Sequence, residues 1–127
     1  MIVVDTSAIV AVRLGEPEQA RFAAMLEEDP VVPASCLLEA SIAIRRRLAD
    51  AGWLDRFLLR AKPHIAQIDD RLVRIARDAD LRYGRGTGHP ARLNFGDCLA
   101  YAVAKHLDAP LLYKGDDFIH TDVRSAL

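Results

Sequence analysis

Cysteine is scarce in this chain: only Cys36 and Cys98 occur, far apart and outside any Cys-x-x-Cys pair. That excludes a zinc knuckle, a redox motif and a disulfide scaffold. It suits two small, reduced, buried side chains in a cytoplasmic protein. Charge of one sign is lacking too. A formal net charge of −1 excludes a polycation that holds nucleic acid by bulk charge, so any such contact needs a local basic patch. No apolar run reaches the roughly 18 residues of a membrane span, and no membrane association is expected. The opening Met1-Ile2-Val3-Val4-Asp5 has no basic n-region, so no signal peptide is expected either. Aromatic residues are 6 % of the chain, too few for an evident base-stacking platform. The four histidines (His64, His89, His106 and His120) are dispersed and offer no zinc spacing; His64 and His106 read as structural. No Gly-x-Ser-x-Gly elbow surrounds a serine. Gly84-x-Gly86-x-Gly88 follows a helix, with the wrong spacing for a dinucleotide fingerprint.

What is present is a chain of 127 residues, 51 % of them hydrophobic. This suits one domain, residues 1–127, that buries its own core. Ile2-Val3-Val4 is a short β-branched run, read as a buried strand. Thr6 or Ser7 is placed to cap the next helix, which stops near Gly15. Pro17 suits the first turn of a helix over 17–28. Residues 31–35 read as a second strand, with Pro33 at an edge or strand end. Helices are expected over 36–51, closed by Gly52, and over 53–61, stopped by Pro63. A third strand is expected over 64–68, and a helix starting at Asp69 or Asp70 runs to about Tyr83. Residues 84–93 are loop by composition. A helix over 94–107 carries Phe95, Leu99, Ala102, Val103 and His106 along one side, and Pro110–Tyr113 is a last strand. Strands alternate with helices. The class is therefore α/β, with a mainly parallel sheet of about four to five short strands and helices on both faces.

Ligands of such sheets bind beyond the carboxyl ends of the strands. Asp5 follows the first strand, Glu39 lies in the first turn after the second, and Asp116 and Asp117 follow the last. Asp97 lies near the start of the helix that enters the last strand and reaches the same edge if that helix begins there. Two carboxylates about 4 Å apart repel by roughly 4 kcal/mol at an effective dielectric near 20. A hard divalent cation removes that conflict, and oxygen-only donors favour Mg²⁺ or Mn²⁺ over Zn²⁺. Such an ion activates water and orients a phosphodiester. Each acid also has a structural alternative: Asp5 or Asp97 at a helix N-terminus, Glu39 on a solvated face, Asp116 and Asp117 in a turn. Asp69 and Asp70 read as helix-start acids.

Four segments, in order, resemble a known family. Met1-Ile-Val-Val-Asp5-Thr6-Ser7-Ala8, Leu38-Glu39-Ala40, Leu93-Asn94-Phe95-Gly96-Asp97-Cys98 and Pro110–Phe118 with Thr121-Asp122 are similar to the motifs of VapC toxins. These are the PIN-domain ribonucleases of bacterial toxin–antitoxin pairs. The resemblance spans essentially the whole chain. It implies a three-layer α/β/α sandwich and a metal-dependent endoribonuclease acting on RNA. It implies metal-binding and catalytic roles for Asp5, Glu39 and Asp97. Of Asp116 and Asp117, the Asp-Phe pair favours Asp117 as the fourth acid, with Asp116 assisting. Ser7 would support Asp5 or a bound water, with Thr6 as a second supporting hydroxyl, and Asn94 would support the segment that places Asp97. The family also implies a homodimer and a VapB-like antitoxin that blocks the site.

RNA affinity needs cations near the acids. Arg82, Arg85, Arg92 and Lys114 are the candidates, with His89 nearby, in and around the 84–93 loop or at the end of the last strand. Its glycines would let backbone approach a phosphate chain. Arg45-Arg46-Arg47 reads instead as a solvated helix face. Two alternatives remain at this point: a phosphotransfer receiver-like domain, which would need a phosphoacceptor Asp ending a middle strand, and a catalytically inactive PIN-like binding module.

Overall fold

The computed structural model describes residues 1–127. Its elements run β1 (Ile2–Val4), α1 (Thr6–Leu14), α2 (Gln19–Met25), β2 (Pro30–Pro33), α3 (Ala34–Leu48), α4 (Trp53–Ala61), β3 (His64–Ala66), α5 (Asp70–Tyr83), α6 (Phe95–His106) and β4 (Leu111–Leu112). A single 3-10 turn, Phe118–His120, follows. All four strands are parallel, in the order β3-β2-β1-β4, and helices flank the sheet. The class and the parallel sheet agree with the sequence. Val3 pairs with Val31 on one side and Leu111 on the other, so β1 is an inner strand. All three of its residues are buried, as the β-branched run predicts. β3 lies at an edge and is largely exposed.

Several boundaries move, each for a local reason. The cap of α1 is neither Thr6 nor Ser7 but Asp5, whose extended backbone lets its carboxylate accept from the Ser7 N–H. Helix α2 begins at Gln19, after Pro17. Helix α3 starts two residues before Cys36 and ends at Ala49, which is left-handed (φ 51°), so Gly52 opens α4 rather than closing α3. Pro33 is the last residue of β2. The expected apolar side of α6 loses both ends: Phe95 is 84 % exposed and His106 is exposed, while Leu99 and Val103 are buried. Asp69 caps α5 through the Leu72 N–H, as expected.

The tail adds what the sequence did not show. Leu111 donates its N–H to Arg124 and accepts from Ala126, so residues 124–126 run parallel beside β4. Tyr101 of α6 holds this tail by donating its hydroxyl to Asp122 at 2.6 Å, with Lys105 on the other oxygen at 3.2 Å. The 84–93 segment is also more built than composition implied. Arg85 N–H donates to Leu93, Leu93 N–H to Tyr83, and His89 packs edge-on against Tyr83.

Tyr101→Phe keeps the buried ring and removes the donor, leaving Asp122 with Lys105 alone. It should lower unfolding free energy by about 1 kcal/mol, read by urea denaturation, and speed amide exchange at Ala126.

Candidate active site

Asp5 is pinned where two strands end. Its N–H donates to Leu112 of β4 at 2.9 Å. Its side chain is 5 % exposed, the one charged residue buried in the core. The Ser7 N–H (3.0 Å) and hydroxyl (2.6 Å) both donate to Asp5 Oδ2. Ser7 Oγ in turn accepts from the Lys114 N–H at 2.9 Å, which commits the hydroxyl proton to Asp5. Ser7 thus fixes Asp5 Oδ2 from two sides.

Glu39 stands in the second turn of α3, one turn later than expected. The Thr6 hydroxyl lies 3.2 Å from Glu39 Oε1 and 3.4 Å from the Cys36 carbonyl. Asp97 is the third residue of α6 and closes a capping box. Its N–H donates to Asn94 Oδ1 at 2.8 Å, and its Oδ2 accepts from the Asn94 N–H at 3.0 Å. Asn94 therefore orients Asp97 from both ends.

These three acids, from β1, α3 and α6, line one open cavity of about 440 Å³ together with Thr6, Ser7, Glu16, Arg47 and Lys114. None of the three makes an ion pair. Burial holds the Asp5 carboxyl above its ordinary range, against the two Ser7 hydrogen bonds. Burial likewise raises Glu39, with the Asp97 charge adding to it. Asp97 is pushed up to about 6, first by burial and then by the charges of Asp5 and Asp117. Burial, with the charges of Asp5 and Glu39, pushes the Cys36 thiol up to about 12, so this cysteine is no nucleophile at neutral pH.

The other candidates divide. Asp117 is exposed at the start of the 3-10 turn and does not line the cavity, yet its charge acts on Asp97. Asp116 is exposed and outside the cavity, so the expected fourfold gathering is three acids with Asp117 beside them. Lys114 lines the cavity but its ammonium is held by Glu16 and Glu18. The Arg85 charge is felt by Asp97, and its Nε donates to the Arg92 carbonyl. Arg82 does not join them: its guanidinium lies 4.7 Å over the Tyr83 ring and acts on Asp122. Arg47 is the cation that sequence reasoning missed. Although exposed, as a solvated face requires, it lines the cavity with Glu39 and Ala43, and their i, i+4, i+8 spacing was the available signal.

The donor chemistry fits a hard divalent cation, because three carboxylates that make no ion pair share one cavity with no histidine or cysteine among its lining residues. No three of the chain's acids, histidines or cysteines close on a single point as they stand. Glu39 rests on Thr6 and Asp97 on Asn94.

Comparison with known proteins gives a consistent result. The model of the family described as PIN domain matches residues 2–124. Ribonuclease VapC28 of Mycobacterium tuberculosis is 42 % identical over 130 residues, covering 99 % of this chain and 98 % of the relative. VapC ribonuclease Mb2780c of Mycobacterium bovis is 41 % identical over 129 residues, covering 98 % of each. Among solved structures, the Mycobacterium tuberculosis toxin VapC20, described as cleaving the sarcin-ricin loop, superposes with a TM-score of 0.77 at 19 % identity, over 97 % of this chain and 96 % of that one. FitAcB from Neisseria gonorrhoeae gives 0.66 at 20 % identity, over 98 % and 96 %. At these identities the two structures establish the fold alone.

The raised acids set a pH dependence. Asp5, Glu39 and Asp97 bind protons more tightly in the fold than in the unfolded chain, so the stability they give is full below the unfolded values of 3.8 and 4.5. It is lost as pH rises through the folded values, about 6 for Asp97. Asp50, lowered by its hydrogen bonds from Arg56 and Arg13, and Asp122, lowered first by the Tyr101 hydroxyl, act oppositely, and only as pH falls below 3.8. Metal-free protein should therefore melt at a lower temperature at about pH 7 than at about pH 5, and Mn²⁺ should reverse the loss in calorimetric scans.

Proposed function

Because the chain belongs to the PIN-domain family, among its VapC ribonucleases, we propose that it is the toxin endoribonuclease of a toxin–antitoxin pair, hydrolysing RNA phosphodiesters at the acidic cavity with Mg²⁺ or Mn²⁺. The observation that carries this reading is the set of three carboxylates in one cavity that make no ion pair, one of them buried in the core. The family and the donor chemistry point the same way.

In this reading Asp5, Glu39 and Asp97 hold the cation, with Asp117 as the fourth acid; Asp116 has no part. Bound there, the cation supplies positive charge that acidifies an attacking water and offsets charge building on the scissile phosphate. The protein's own work is positional. Ser7 fixes the face that Asp5 turns to the cavity, and Asn94 sets the place of Asp97. A carboxylate of the cluster would take the proton that water loses on attacking phosphorus, and the leaving oxygen would take a proton from solvent as its P–O bond breaks. Arg47 and Arg85 supply phosphate contacts, since Lys114 is already neutralised by Glu16 and Glu18.

The partner is a VapB-like antitoxin, and the toxin acts as a homodimer. Support for a protein partner is a second cavity of about 450 Å³ between α1, α2 and α4, lined by Val12, Leu26, Trp53 and Phe57 with Arg56 and Arg60 beside them. Its apolar lining suits the apolar face of an amphipathic segment, and Arg60 beside it suits an acidic residue there.

Asp5→Asn and Asp97→Asn should each abolish RNA cleavage, by at least about 100-fold, while circular dichroism stays native. Cleavage by wild-type protein that survives excess EDTA would overturn the metal role. Tight Mn²⁺ binding by calorimetry without any cleavage would instead favour an inactive binding module.

A further inference from the structure

Gly96 is the second residue of α6 and is buried. Its helical backbone imposes no need for glycine, and alanine is the better helix former at such a place. Space is the reason it stands there. A Cβ built on Gly96 would lie 2.6 Å from both Cδ and Oε1 of Glu39, and closer still to Oε2. The three nearest atoms all belong to that one carboxyl group, with no backbone of α3 among them. The Glu39 carboxyl group, the movable end of a side chain, is therefore what a side chain at 96 would meet first. Across the carboxylate, Thr6 donates its hydroxyl to Oε1 from the first turn of α1.

We propose that Gly96 and Thr6 are positioning residues for Glu39, the bare Cα of one and the hydroxyl of the other forming a two-sided seat that sets how the carboxylate enters the cavity. Any side chain at 96 then pushes Glu39 off its seat without touching Asp5. The seat itself follows from geometry; its consequence for a cation rests on the metal-site reading above.

The test has a metal-free arm and a metal arm. In the first, melting temperatures are compared for wild type, Gly96→Ala, Glu39→Ala and the double variant, all without metal. With Glu39 truncated, Gly96→Ala should raise the melting temperature, because the methyl has room and the helix gains. In wild type the same change should lower it. Equal shifts in both backgrounds would overturn the seat. In the second arm, Mn²⁺ binding by calorimetry should weaken about 10- to 100-fold in Gly96→Ala. It should recover in part in Gly96→Ala combined with Glu39→Asp, whose shorter side chain clears the methyl. Gly96→Ala binding Mn²⁺ as tightly as wild type would also overturn the proposal. Should Gly96→Ala fail to fold, Thr6 decides: Thr6→Val should lose Mn²⁺ affinity and Thr6→Ser should keep it, and equal affinity in the two would count against the seat. Wild-type protein that binds no Mn²⁺ would retire the metal reading, while the metal-free comparison would still decide the seat.

Discussion

A buried carboxylate with no counter-charge is the constraint on which this molecule turns. An ion taken from water without a partner costs several kcal/mol even after relaxation. Asp5 is in that position, with Glu39 and Asp97 sharing its cavity. Hydrogen bonds to a charged acceptor return about 1.5–3 kcal/mol each, so the two donors of Ser7 offset a good part of the cost. They do not offset all of it, and the remainder shows as an Asp5 carboxyl raised despite them. A globular protein would ordinarily place an apolar residue at the end of an inner strand. Retaining an acid there, beside two more, makes sense when a cation completes the arrangement.

The fold makes such a cluster from residues 92 apart along the chain, Asp5 to Asp97. In a parallel sheet every strand ends on the same edge, and an inner strand has neighbours on both sides. β1 is inner, so Asp5 meets β2 and the helix after it on one flank and β4 on the other. Helix α3 leaves directly from Pro33 and brings Glu39 back over the edge in its second turn. Helix α6 begins at the same edge, so its first-turn acid joins them. The Lys114 N–H, just past β4, closes the ring by locking the Ser7 hydroxyl. Residues just past the strand ends and at the helix starts therefore orient the acids: Ser7 holds Asp5, Thr6 holds Glu39 and Asn94 holds Asp97.

Much of this was readable in the sequence, for reasons that differ by residue. A β-branched run ending at an acid identifies β1 and Asp5 because strand burial and charge conflict so sharply there. Asp97 was readable because it stands near the start of the helix that enters the last strand, and that helix does begin at the same edge. What stayed hidden depends on contacts between distant segments. Nothing local to Gly96 says that Glu39 lies against it, and nothing local to the tail says that residues 124–126 pair with β4. Arg82 misled because chain proximity to Arg85 does not fix direction: α5 turns it onto Tyr83 instead. Phe95 misled in the same way, since the helical apolar spacing it shares with Leu99 does not oblige the first residue of α6 to be covered.

Asp97 shows how a structural role and a chemical one coexist in one side chain. Its carboxylate sits at the positive end of α6 and accepts the Asn94 N–H, both of which favour the charged form. Burial and the charges of Asp5 and Asp117 nevertheless win, since the group is raised to about 6. Asn94 Oδ1 caps the helix separately through the Asp97 N–H, so the cap does not rest on the carboxylate alone. Releasing Asn94 N–H would forfeit one hydrogen bond, on the order of 1–2 kcal/mol. That bond keeps Asp97 at the wall of the cavity in the metal-free protein, so one side chain both fixes the start of α6 and adds to the charge of the cluster.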